Sequence, residues 1–310
     1  MKIVTLTLNP AFDTHVSLDS LVLHHENFAT VLSTDAGGKG VNISRALTAN
    51  GEENLAVIIT GAENESAFIQ KLKEDGLSCS TVSVPGRIRE NMTVHEKSGK
   101  ETRISFDGFS CEKKVLDRVG DAVGQVDENT TVTLTGSNPV GFSVSDVTEL
   151  LRAWKEKGAK IVIDSRSFTP ADLVAFGPWL IKPNKSEAAA FAGHDVRNVE
   201  DAAKTALAFH QKGVENVLIS LGPEGAVLAC KEGLLYATAP DIPVISTIGA
   251  GDSMIAGFVS AASHGLCVED TLIRAVAFGT AACIQNGTRP PLPRDVQKIQ
   301  KQIQVTKLSL

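Results

Sequence analysis

The chain has 310 residues, 43% of them hydrophobic and 21% charged, with a formal net charge of −6. That length supplies an ample core for one large domain or two unequal ones, and the acidic balance argues against a nucleic-acid partner. Five cysteines (Cys79, Cys111, Cys230, Cys267 and Cys283) without C-x-x-C spacing argue against a disulfide framework or a zinc site.

In chain order, residues 3–8 read as a buried strand ended by Asn9-Pro10, too short for a signal peptide. Residues 14–35 mix Val and Leu alternation with His24, His25 and Glu26 and suggest short strands. Ala36-Gly37-Gly38-Lys39-Gly40 opens a helix that stops at Asn50-Gly51. A strand at 55–60 precedes a helix at 65–75, with Phe68, Ile69 and Leu72 inward and Gly76 as its cap. Between 80 and 109 the pattern turns to short β-rich pieces at 81–84, 92–95 and 102–106, with Ser98-Gly99 as a turn. With residues 14–35 these pieces suggest a small sheet outside the main fold. From 112 onward helix and strand alternate. Helices are expected at 112–125, 143–157, 184–192 and 198–212, and strands at 131–135, 160–164, 179–182 and 216–220. Segments 226–230 and 234–237 form a hairpin around Glu232-Gly233. Helices 250–264 and 268–286 precede a short amphipathic tail at 294–303. No stretch approaches the roughly 18 apolar residues of a membrane span, so a soluble cytoplasmic protein is expected.

Continuous apolar strands separated by helices imply a mostly parallel sheet covered on both faces. In such sheets ligands bind beyond the carboxyl ends of the strands. Asn9, Gly136-Ser137, Asp164, Lys182-Pro183-Asn184, Ser220 and Gly249 all follow predicted strands and so share one edge.

The familiar nucleotide motifs fail there. Gly249-x-Gly251 lacks the third glycine of a dinucleotide fingerprint, because Met254 occupies that position. Gly38-Lys39 is followed by Gly40 rather than Ser or Thr, and Ser33 stands where a Walker loop needs Gly. What remains is a set of glycine turns with polar neighbours. Gly37-Gly38-Lys39-Gly40 is either a plain helix start or a close approach to a ligand with a lysine beside it. Arg87, Arg89 and Arg103 in the β-rich segment are either solvated or placed to clamp a phosphate bidentately. Asn184-x-x-Glu187 has the form of a helix cap with an acidic third residue. Its other reading is metal ligation beside a nucleotide phosphate. Ser220-Leu221-Gly222-Pro223-Glu224-Gly225 is a turn or a loop lying under a nucleotide.

Ser246-Thr247-Ile248-Gly249-Ala250-Gly251-Asp252-Ser253 leads into a helical stripe of Met254, Ile255, Phe258, Val259 and Ala262. The first turn of that helix offers free N–H groups from a loop of little bulk, which is an anion site. Asp252 beside it either complements the helix N-terminus or accepts a proton while the amides of 249–251 hold a phosphate in transfer.

Six motifs then add up in order: Asn9-Pro10-Ala11-Phe12-Asp13, Gly37-Gly38-Lys39-Gly40-Val41-Asn42, Gly136-Ser137-Asn138-Pro139-Val140-Gly141, Lys182-Pro183-Asn184-x-x-Glu187, Ser220-Leu221-Gly222-x-x-Gly225 and Gly249-Ala250-Gly251-Asp252-Ser253. On them the chain resembles the PfkB/ribokinase family of sugar kinases over its whole length. The resemblance is closest to the phosphosugar branch with the 1-phosphofructokinases, tagatose-6-phosphate kinases and minor 6-phosphofructokinases. It implies a ribokinase-like α/β core, a mostly parallel sheet flanked by helices on both faces. A small β lid from about 14–35 and 88–108 would complete a single kinase domain spanning 1–310.

The same resemblance implies ATP and Mg2+ as cofactors, with Asp252 as base and Gly249, Ala250 and Gly251 as the anion hole. Asp13, Gly38, Lys39, Asn42 and Ser137 would hold the sugar, and Arg89 and Arg103 its phosphate. Asn184 and Glu187 would organise Mg–ATP, with Glu187 the metal residue. Ser220, Gly222, Gly225 and Asn286 would line the nucleotide site. The helix N-terminus would keep Asp252 ionised at a near-ordinary pKa. The first reading of the reaction is fructose-1-phosphate to fructose-1,6-bisphosphate. The alternatives are 6-phosphofructokinase or tagatose-6-phosphate kinase activity, or a non-catalytic phosphosugar-binding regulator. Phe12 and Ser105-Phe106-Asp107-Gly108-Phe109 resemble the fructose-1-phosphate kinases, whereas Gln285-Asn286-Gly287-Thr288-Arg289 leans toward the minor 6-phosphofructokinases. The expected partners are a phosphosugar and ATP, with no membrane and a homodimer through the lid. His24, His25 and Arg166 receive no role from the sequence.

Overall fold

Strands whose every residue is apolar or threonine must be buried on both faces, and the chain builds its frame from them. The computed structural model describes residues 1–310. The first half contains β1 (Lys2–Thr7), β2 (Ala11–Leu18), β3 (Thr30–Gly37), α1 (Lys39–Ala49), β4 (Leu55–Gly61), α2 (Glu65–Glu74), β5 (Cys79–Val84), β6 (Arg89–Glu96) and β7 (Glu101–Ile104). Next come α3 (Val115–Val123), β8 (Thr130–Thr135), α4 (Val144–Glu156), β9 (Lys160–Asp164), α5 (Pro170–Phe176), β10 (Leu180–Ile181), α6 (Lys185–Ala192) and α7 (Val199–Gln211). The last part holds β11 (Asn216–Ser220), β12 (Ala226–Cys230), β13 (Gly233–Ala237), α8 (Ala250–Ser263), α9 (Val268–Ala282), α10 (Pro293–Gln300) and β14 (Val305–Leu308).

One ten-stranded sheet runs in the order β14-β13-β12-β11-β10-β9-β8-β1-β4-β5. The pairs from β11 across to β5 are parallel, and β12, β13 and β14 close the far edge antiparallel. Successive residues enter opposite cores. Val4, Leu6, Val132 and Leu134 join a cluster on one face, while Ile3, Val162, Leu180 and Leu218 join a second on the other. The chain leaves β1 toward β4 and β5 on one side and later returns to β8 on the other. Such a reversal opens a crevice at the carboxyl ends of β1 and β8.

A separate four-stranded sheet, β3-β2-β6-β7, stands beside that crevice. Asp13, Asn91 and Arg103 share its inward face. Met92 and Ile104, register partners, lie on the opposite face with Val16 and its partner Val31.

Three expectations need correction. The segment read as part of the small sheet at 81–84 is β5, which pairs with β4 at the edge of the main sheet. Its buried Val82 and Val84 complete a parallel crossover through α2, and short length alone did not distinguish that from a lid strand. Between the expected strands at 160–164 and 179–182, where no helix is expected, α5 forms, with Thr169-Pro170-x-Asp172 as a full capping box with proline at its start. The tail read at 294–303 is the shorter α10, followed by β14, which pairs with β13.

Candidate active site

The crevice is a cavity of about 850 Å³ between the ends of the parallel strands and the small sheet. Only four of its 31 lining residues are hydrophobic, so it suits a hydroxylated, charged ligand. Six cations face it, Lys39, Arg89, Arg103, Arg166, Lys182 and Lys185, against four carboxylates, Asp13, Asp164, Glu187 and Asp252. An acidic chain thus carries a locally positive cavity, which favours an anion.

The start of α8 forms one wall. Gly249 caps it at φ 78°, a left-handed backbone that a side chain would strain. The amides of Gly251 and Asp252 make no hydrogen bond to Thr247 or Ile248 and remain free donors. A Cβ on Gly251 would stand 2.9 Å from Lys182 Nζ, so the bare glycine lets that buried ammonium reach the same turn. Lys182 makes no ion pair with any carboxylate. Free amides and an unpaired ammonium side by side form an anion hole.

Asp252 is buried beside it, and its Oδ2 accepts a hydrogen bond from Asn42 Nδ2 at 2.9 Å. Burial pushes its carboxyl up to about 6; Lys39, Asn42 and Lys182 oppose that rise and Asp164 adds to it. The expected near-ordinary pKa is therefore wrong, because desolvation outweighs the helix terminus. Asn42 Oδ1 accepts from Arg45 Nη1 at 3.1 Å, so both ends of its amide are engaged and it orients the carboxylate.

Lys39 opens α1 and its Nζ lies 2.7 Å from Asp164 Oδ2. Burial is the largest influence on each partner and opposes its charge, but the neighbours prevail. Asp164, Asp252 and Glu187 hold Lys39 above its usual value. Lys182, Lys39 and Arg166 hold Asp164 below the usual carboxylate range. Both charges persist at neutral pH.

On the small-sheet wall, Asp13 Oδ1 accepts from Asn91 Nδ2 and Arg103 Nη2, each at 3.0 Å. Arg89 donates to three backbone carbonyls, those of Asn9, Pro10 and Phe106. Burial, and then Arg103 and Arg166, pull Arg89 below the usual arginine value, with Asp13 and Asp107 opposing. Both guanidiniums are thereby held in place before any ligand arrives.

At the other end, Asn184 and Glu187 form a reciprocal cap on α6, with both bonds at 2.9 Å. Asn184 also bridges to Ser220. Beyond Ser220, Gly222 and Gly251 the space continues into an apolar branch of about 390 Å³. Ile242, Val244, Met254, Val276 and Cys283 line it. A charged chamber opening into a slot with an apolar wall matches a group of phosphates carrying a flat base.

Nearly all the expected site residues line the main cavity: Asp13, Gly38, Lys39, Asn42, Arg89, Arg103, Ser137, Asn184, Glu187, Ser220, Gly222 and 249–252. Gly225 lines the apolar branch instead, and Asn286 is exposed on the turn after α9 and lines neither space. Asn91, Asp164 and Lys182 received no role from the sequence, although two of them are polar residues ending apolar strands. The apolar branch draws on four distant segments and left no local signal.

The model of the pfkB family carbohydrate kinases matches residues 22–295. The 1-phosphofructokinase of Haloferax volcanii is 34% identical over 310 residues, covering 98% of each chain. That of Escherichia coli K12 is 31% identical over 307 residues, covering 97% of this chain and 98% of its own. The crystal structure of Escherichia coli phosphofructokinase-2 in complex with fructose-6-phosphate superposes with a TM-score of 0.90 at 26% identity, covering 97% of this chain and 98% of its own.

Proposed function

The chain belongs to the pfkB family of carbohydrate kinases, and from that premise we propose ATP-dependent phosphorylation of fructose-1-phosphate to fructose-1,6-bisphosphate. One observation carries this reading: a buried carboxylate, Asp252, adjoins two free amides and an unpaired lysine. A general base and an anion hole in one helix turn are what phosphoryl transfer to a hydroxyl needs.

In this reaction the acceptor oxygen bonds to the γ-phosphorus of ATP, the bond to the β–γ bridging oxygen breaks, and ADP leaves. The hydroxyl proton goes to Asp252, whose elevated pKa makes it a better acceptor than an exposed aspartate while leaving it ionised above neutrality. Asn42 aims the carboxylate. The free amides of Gly251 and Asp252, with Lys182, stabilise charge on the transferring group. The Ala250 amide is spent on Thr247 O and adds nothing to the hole, and Lys39 balances Asp164 beside it. Asp13 and Ser137 hold sugar hydroxyls, with Gly38 allowing close approach, while Arg89 and Arg103 take the phosphate the acceptor already carries. Ser220 and Gly222 line the nucleotide path, and its base enters the branch that includes Gly225.

Mg2+ fits Glu187. Its Oε2 is engaged by the Asn184 amide, which leaves the other oxygen of a cavity-lining carboxylate available. Mg2+ sites of this kind use one or two carboxylates together with the substrate phosphates. The ion would neutralise charge on the nucleotide phosphates.

The choice of fructose-1-phosphate follows the two 1-phosphofructokinase relatives. A 6-phosphate ketose is the second reading, favoured by the likeness to phosphofructokinase-2. Rates of ADP formation across fructose-1-phosphate, fructose-6-phosphate, tagatose-6-phosphate and fructose decide between them. Absence of turnover with all four refutes the kinase, and phosphosugar binding without turnover is the outcome that favours a binding regulator.

The same reading treats residues 1–310 as one kinase domain with the small sheet as its lid. The lid's outward face exposes Val31, Met92 and Ile104, an apolar surface that a second copy of the chain would cover. Sedimentation as a monomer at high concentration would refute that dimer. No helix is long and apolar enough to cross a membrane, and the five free thiols suit a reducing cytoplasm.

A further inference from the structure

Arg166 lines the main cavity, and no role has been given to it. Its side chain makes no hydrogen bond and no ion pair, unlike Arg103 with Asp13 or Arg89 with its three carbonyls. The backbone that carries it is nevertheless fastened. Ser165 Oγ accepts from the Ser167 amide at 3.2 Å, and Ser167 Oγ accepts from the Asn138 amide at 2.9 Å. The Gly136 amide donates to Asp164 O, and Asp164 is held by Lys39.

These ties lead to the seat of Arg89. Asn9 Nδ2 donates to Ser137 Oγ and Asn138 O, while Asn9 O accepts from Arg89 Nη2 at 3.2 Å. A continuous hydrogen-bonded chain therefore links the loop that bears Arg166, on the core, to the guanidinium on the small-sheet side. Arg89 and Arg166 also repel one another across the cavity that both line. Asp164 attracts Arg166 at longer range but does not engage its guanidinium, so its planar donors stay free, and an anion between the two walls would use them and relieve the repulsion.

We propose that Arg166 is a specificity-determining residue, gripping from the core wall the phosphate group that the sugar substrate already carries, opposite Arg89 and Arg103. The proposal rests on the kinase reading above and deepens it. Three arginines from two walls surround that phosphate, so a phosphate-free sugar leaves the free donors of Arg166 without the anion they are placed to grip. The core wall thereby contributes directly to discrimination between phosphosugars and neutral sugars.

Calorimetric binding without turnover separates the cases, comparing wild type with Arg166→Gln and Arg166→Lys. The Gln variant is expected to raise the Kd for fructose-1-phosphate roughly 10–100-fold while the Kd for Mg–ATP moves less than about twofold. The Lys variant should recover part of the loss, and weak binding of phosphate-free fructose should be unchanged. An unchanged fructose-1-phosphate Kd, or an equal weakening of Mg–ATP, overturns the proposal; the latter would place Arg166 on the nucleotide. Wild type that binds fructose-1-phosphate but forms no ADP refutes the kinase reading and leaves the Arg166 result standing. Wild type that binds no sugar phosphate overturns both.

Discussion

Asp252→Asn tests the base and the cost of burying it in one variant. Asparagine keeps an oxygen to accept from Asn42 Nδ2, so the local geometry survives while the proton acceptor is lost. Turnover should fall by roughly 10²–10⁴ with substrate binding retained. Stability should move the other way. Burial first, and Asp164 after it, raise the Asp252 pKa from the ordinary 3.8 to about 6. At about 1.4 kcal/mol per unit, the ionised carboxylate costs the fold about 3 kcal/mol above neutral pH. Because the folded pKa is raised, the proton contributes stability below about pH 4, and that contribution is lost as pH rises through about 6. The substituted amide carries no such charge, so the variant's advantage should open between those limits and stay level above them. Asparagine also places an amide near Lys39 and Lys182, so a gain of about 1–3 kcal/mol is expected, a few degrees in Tm. Thermal melts of both proteins across pH, with initial rates of ADP release, give both readouts. A variant within about tenfold of wild-type turnover would refute the base assignment. A stability difference independent of pH would refute the account of the pKa.

The pH–rate profile gives a companion result: kcat/KM for the acceptor should rise with pH through about 6 and then flatten, as Asp252 becomes ionised in the free enzyme. A profile flat from about pH 5 upward would contradict it. Gly251→Ala should lower kcat by roughly 10–100-fold with little change in melting temperature, since the new Cβ would lie 2.9 Å from Lys182 Nζ and displace it from the anion hole. Equal losses in stability and activity would instead mark a packing defect. Far from the cavity, Glu52 accepts from Ser260 Oγ, His264 Nε2 and Arg274 Nη2, and so ties the loop after α1 to α8 and α9. Glu52→Ala leaves the guanidinium of Arg274 without its partner and should cost about 2–4 kcal/mol in urea unfolding. The folded variant should keep its KM values.

What was legible in the sequence was whatever a few neighbouring residues decide. Each glycine turn follows an apolar strand, and parallel strands share a direction, so Asn9, Ser137, Asp164, Lys182 and Ser220 had to reach one edge. Sheet membership was not legible for β5, because partner choice is set by the α2 crossover and not by the strand's own composition. Asn42 and Asp252 are 210 residues apart and Lys39 and Asp164 are 125 apart, so neither pairing has a local signature.

The same limit explains the error about Asp252. A helix N-terminus is visible in sequence and argues for an ionised carboxylate, whereas the layer that desolvates it is assembled from distant elements. The two effects share a cause at this site. Residues without bulk at 249–251 leave the amides open to an anion and let buried Lys182 come close. The dense surroundings that position Lys182 and Asn42 also strip water from Asp252. Base strength and anion hole are therefore coupled, and a change that admits water to Asp252 should weaken both together. Gly251→Ala acts on the pair differently: it displaces the Lys182 that opposes the rise, so its profile should move its inflection above about 6 as well as lose height. An unshifted inflection with reduced height would separate the two and show that Lys182 acts on the phosphate alone.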